Sequence, residues 1–119
     1  MPSTTNFQPL TCYDKTATVA SGETTSEEID LSGTELVGIF VPSTFDGTTI
    51  TLTAASTPGG TFVTVQDGDG NAYTITTTAS RYAPIKNLAL LAGVRYIKLV
   101  CGTSQSTSDT VFTLACRPT

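Results

Sequence analysis

"TTITLTAAS", residues 48–56, places threonine at alternate positions around Ile50 and Leu52. A period of two sends successive side chains to opposite faces of a strand, so this segment has one wet face and one dry face. Threonine is β-branched and suits a pleated, half-solvated surface. It makes up about a fifth of the 119-residue chain, while charged residues make up only 13%, about half the globular norm. The expectation is an all-β protein of one domain whose outer faces carry neutral hydroxyls.

Outward from this segment the same kind of reading repeats. "ELVGIFVP", residues 35–42, is nearly all apolar and reads as a central strand buried on both faces and stopped by Pro42. "KTATVAS" (15–21) alternates, and "SEEIDLSG" (26–33) sets acidic residues against Ile29 and Leu31. After the turn "STPGGT" (56–61) come "TFVTVQD" (61–67) and "AYTITTT" (72–78), then the short run "SRYAPI" (80–85) with Pro84 near its end. "KNLALLAGV" (86–94) breaks the alternation and predicts one helical turn or a loop packed by its leucines. "VRYIKLVCG" (94–102) divides into Val94, Tyr96, Lys98 and Val100 on one face and Arg95, Ile97, Leu99 and Cys101 on the other. A polar loop, "GTSQSTSD" (102–109), leads to the closing strand "TVFTLACR" (110–117). Eight or nine short strands separated by Gly, Pro and Asx turns predict an antiparallel β-sandwich, jelly-roll-like, of about eight strands. The sandwich domain spans 13–119, and the polar, proline-containing residues 1–12 read as an N-terminal arm or edge segment.

"DGDGN", residues 67–71, is the stretch that most resembles chemistry. Asp67, Asp69 and Asn71 occupy the first three ligand positions of a calcium loop. The glycine required next is Ala72, the bidentate glutamate at the end is Thr78, and the flanks read as strands. An EF-hand is therefore excluded. A turn between two strands accounts for the same residues, because Asp, Asn and Gly accept positive φ and bond their own backbone. The alternative for Asp67, Asp69 and Asn71 is a non-EF cation site, as in a metal-dependent lectin.

Other chemistries find little to work with. The chain has no histidine and no SxxK or GxSxG motif. Glu27 and Glu28 are adjacent, so on a strand they diverge rather than converge as a catalytic pair. No phosphate-binding loop is present. The expectation is a non-enzymatic protein with no cofactor. Six cations are scattered through a chain of net charge −4, which disfavours nucleic acid. The apolar runs are too short to span a bilayer as a helix. The N-terminal sequence lacks a secretory signal, so folding in the cytosol is expected. Three cysteines, an odd number with no zinc-like spacing, read as free thiols. Cys101 and Cys116 lie in strand-like runs and could pair if those strands were neighbours. The four tyrosines read as amphipathic packing with the hydroxyl at the surface.

The order of these elements carries a resemblance. "GTELVGI" leads through a proline and an aromatic to "TITLT"; a "DGDG" turn follows, then "ASRY", "AGVRYIK" and a terminal Arg117-Pro118. Over residues 32–118 this resembles small structural proteins encoded among the head genes of tailed bacteriophages and prophages. The resemblance implies a virion component, most like a head decoration (cement) protein that binds the outer capsid surface and stabilises the head. The implied partner is the major capsid protein, and the implied localisation is the virion, after assembly in the host cytoplasm. Capsid junctions are symmetric, so a homo-oligomer such as a trimer is expected. The partner-binding residues expected on this reading are Phe7, Leu10 and Tyr13 of the arm region and Phe45 of an exposed loop. The alternative is a tail, neck or fibre module that binds a host glycan or receptor.

Overall fold

A computed structural model of the chain describes residues 13–106 and 108–118. Nine strands, and no helix longer than one turn, make up its regular structure: β1 (Lys15–Val19), β2 (Ile29–Asp30), β3 (Thr34–Val41), β4 (Thr49–Ala55), β5 (Val63–Thr64), β6 (Thr74–Thr76), β7 (Arg81–Pro84), β8 (Tyr96–Cys101) and β9 (Thr110–Pro118). They form two antiparallel sheets, one in the order β1-β9-β3-β7 and the other in the order β2-β8-β4-β5, with β6 also paired to β4. β5 and β6 lie along the same edge of β4. Counted as one position, they give the strand order of a jelly roll, with successive strands crossing from sheet to sheet.

The core lies between the inner faces. The four-stranded sheet contributes Ala17, Leu36, Ile39, Phe112 and Leu114, and the five-stranded sheet contributes Ile50, Leu52, Ile75, Ile97 and Leu99. The alternation expected for β4 holds: Ile50 and Leu52 are buried while Thr49, Thr51 and Thr53 face outward. β8 likewise buries Ile97, Leu99 and Cys101. Leucines of the 86–94 segment cap the core through a 3₁₀ turn at Leu88–Leu90, opened by the Asn87 side chain, which accepts from Ala89 N–H at 3.1 Å.

β3 departs from the expectation of a strand buried on both faces. Its pairing with β9 shifts between Leu36 and Gly38, a β-bulge that leaves Val37 as the extra residue. Before the bulge Thr34 and Leu36 point inward; after it Ile39 and Val41 do. One added residue resets a period of two, so Gly38 and Phe40 turn outward. The apolar run thus serves two inward registers and supplies one exposed aromatic.

One end of the sandwich is closed by a residue within the expected polar loop. Gln105 is 0% exposed. Its Oε1 accepts from Asp46 N–H and from the Thr110 hydroxyl, and its Nε2 donates to the carbonyls of Asp46 and Thr103, each at 2.9 Å. Its own N–H donates to Glu23 C=O at 3.0 Å. Three connecting segments are pinned by this side chain and its backbone, and every polar group of the amide is satisfied, the condition under which burial stabilises rather than costs.

Candidate functional site

The 67–71 segment is a self-contained turn. Asp67 Oδ1 accepts from Asp69 N–H at 2.9 Å and Asn71 N–H at 3.2 Å, and Asp67 N–H donates to Asn71 C=O at 2.9 Å. Gly68 and Gly70 sit at φ 90 and 87, the left-handed region that glycine enters without strain. One oxygen of Asp67 thereby closes the loop, and no group of three His, Cys, Asp or Glu side chains that could hold a metal ion occurs among the described residues. The turn is narrower in effect than a full hairpin. Gln66 bridges Ala72 and Tyr73 N–H reaches Val65 C=O at 2.8 Å, after which the two arms separate and each pairs with β4.

Several carboxylates are engaged in separate structural contacts. Glu27 accepts from Thr18 N–H and Glu28 from Gly59 N–H, both at 2.8 Å, so the adjacent pair indeed serves two separate places. Asp30 pairs with Arg95, whose hydrogen bond, together with Ser32 N–H, holds the Asp30 carboxyl down at about 2. Glu35 pairs with Arg117 across β3 and β9. Cys101 on β8 and Cys116 on β9 belong to different sheets and are both free thiols. Burial pushes the Cys101 thiol up to about 11, away from the reactive thiolate.

The two outer faces differ sharply. On the five-stranded sheet, Thr49, Thr51 and Thr53 of β4 lie beside Thr76, Thr74 and Thr64 of the neighbouring strands. On the four-stranded sheet, Phe40 and Tyr82 stand directly opposite each other on β3 and β7, 50% and 45% exposed, with ring centroids 4.6 Å apart. Val111 of β9, 47% exposed, extends the same apolar face. Gly38 makes the ring pair possible: a Cβ there would lie 2.0 Å from the Tyr82 hydroxyl oxygen. The tyrosine ring therefore lies along the glycine backbone.

The expected contact residues fare unequally. Phe7 and Leu10, like the whole arm 1–12, lie outside the described residues. Tyr13 is 37% exposed ahead of β1. Phe45 is a correction: it is only 5% exposed and packs edge-on against Phe112 with centroids 5.7 Å apart, a core residue rather than a contact. Its loop folds inward because Gln105 holds Asp46 beside it. Phe40, Tyr82 and Val111 were not expected as a surface. Their signal in the sequence, an aromatic in "GIFV" and another in "SRYA", becomes readable only once the bulge sets the register.

No protein-family model matches this chain, nor does any curated protein or solved structure.

Proposed function

We propose that this protein is a structural component of a tailed-phage virion, a decoration protein that adheres to the outer capsid surface and reinforces the head. The observation that carries the reading is the exposed Phe40–Tyr82 pair, extended by Val111, on an outer sheet face. Apolar side chains gathered on one rigid face favour contact with another surface over contact with water. The engagement of several carboxylates in separate structural contacts supports a non-enzymatic role, and the resemblance over residues 32–118 supports the virion as the setting. Each copy contributes a small patch, and copies clustered symmetrically at a capsid junction add many weak contacts into firm retention.

Cosedimentation with phage heads lacking the protein tests this. Saturable binding at the stoichiometry of one class of junction, with heads made more heat-resistant, is the expected result. Heads that take up no protein, or take up the Phe40→Ser, Tyr82→Ser variant as fully as the natural chain, would overturn it.

A further inference from the structure

Among the described residues, the sandwich is open along one side. β6 bonds to β4 and β7 bonds to β3, but β6 and β7 do not pair with each other. Between these two edges runs a groove of about 620 Å³, walled by the threonines of β6 and the residues that follow it on one side and by β7 on the other.

The direction of the main chain decides what that groove offers. Thr77 N–H donates to Thr48 C=O at 2.9 Å, and the same register sets Ile75 opposite Ile50. In an antiparallel ladder the intervening residues turn both their N–H and C=O to the other side. Thr74 and Thr76 therefore present main-chain donors and acceptors to the groove, and among the described residues no main-chain group meets them. β7 is blunted by contrast. Ile85 N–H donates to Val37 C=O, which leaves Tyr82 and Pro84 facing the free side, and proline has no N–H to give.

Charge then selects the occupant. Arg81 and Lys86 line the groove and no carboxylate does. Elsewhere Arg95 and Arg117 are paired with Asp30 and Glu35, and Lys98 lies over the Phe62 ring. Among the described residues, Arg81 makes only a 3.4 Å bond to Ser80 C=O. The Lys86 backbone is fixed by its N–H on the Tyr73 hydroxyl at 2.9 Å, so its side chain leaves from a rigid point. At the Lys86 end the groove borders the hollow that holds Asp67 and Asp69, so Arg81 is the stronger of the two anchors for an occupant's carboxylates. Tyr82 turns its ring onto Phe40 and Gly38.

We propose that the groove between β6 and β7 receives an extended acidic peptide strand, which pairs with the main chain of Thr74 and Thr76 and presents carboxylates to Arg81 and Lys86. Strand addition supplies main-chain affinity, while the two cations supply selection and register. The proposal is independent of the decoration reading, because its test contains no virion.

The probe is a synthetic peptide of alternating Glu and Val, titrated into the isotope-labelled full chain at millimolar concentration. The expected result is movement of the Thr74 and Thr76 amide signals and slowing of their hydrogen exchange. The double variant Arg81→Ala, Lys86→Ala should weaken binding by about tenfold, the sum of two exposed charge pairs. An equally strong response to the same peptide N-methylated at alternate residues would overturn strand addition. So would unmoved Thr74 and Thr76 amides, or a polyuronate that competes as well as the peptide.

Discussion

The outer faces of the two sheets are built from the same local rule and end in different chemistry. On β4 the alternation of threonine with Ile50 and Leu52 runs unbroken, so the exposed face is a field of hydroxyls and methyls. On β3 the alternation is interrupted by the bulge at Val37, and the outward face becomes Phe40 and a Gly38 covered by the ring of Tyr82. Regular period-two sequence makes a surface that is content with water. A single inserted residue makes one that is not.

The largest effect should come from the frame that supports both faces. Gln105→Leu leaves the N–H and C=O of Asp46, the Thr103 carbonyl and the Thr110 hydroxyl without their partner. Urea unfolding should show a loss of about 2–4 kcal/mol. A loss below half a kilocalorie would mean that the two faces do not depend on this end of the sandwich.

Gly38→Ala strikes one face only. Its new Cβ overlaps the tyrosine hydroxyl, so the Tyr82 ring must leave Phe40. We expect a cost of about 0.5–1.5 kcal/mol, the loss of a half-exposed ring pair, together with a drop in head occupancy. Adding Tyr82→Ala should recover part of the stability and none of the occupancy, which separates crowding from contact.

Phe40→Ser with Tyr82→Ser sharpens the contrast further. The pair is half exposed, so its removal should cost no more than about 1.5 kcal/mol of stability while abolishing adhesion to heads. The matched change on the opposite face, Thr51→Ser with Thr74→Ser, should stay within about 0.5 kcal/mol and leave adhesion intact. Equal losses from both pairs of substitutions would end the distinction between the faces.

The smallest effect is electrostatic. Asp30, held at about 2 from a usual 3.8, contributes stability that is fully present above 3.8 and is lost as pH falls through about 2. Both Asp30 and Arg95 are exposed, so solvent screens the pair and the change should be slight. Thermal melts between these pH values should show a shallower acid decline for Asp30→Asn than for the natural chain.

Much of the fold was legible because its signals are local. The alternation in 48–56, the glycines and aspartates of 67–71 and the prolines at 42 and 84 act within a few residues, and each appears where the sequence placed it. The 67–71 turn is likewise closed by its own residues, Asp67 accepting from the N–H groups of Asp69 and Asn71. The candidate surface was far less legible. Phe40 lies in an apolar run and Phe45 in the polar segment that follows it, yet Phe45 is core and Phe40 is solvent-facing. Gln105 looks like its serine and threonine neighbours, and only the approach of Asp46 and Thr110 makes it a buried hub.

The sequence by itself determined that this chain forms short strands, where they turn, and that their wet sides are hydroxyl-rich, because side-chain period and turn chemistry are properties of neighbouring residues. The tertiary structure alone decided which aromatic faces outward, which polar residue is buried, and that β5 and β6 share one edge of β4 and leave a groove beside β7. Those outcomes depend on the register between strands distant in the chain. A one-residue shift in that register exchanges inside for outside without altering any local preference.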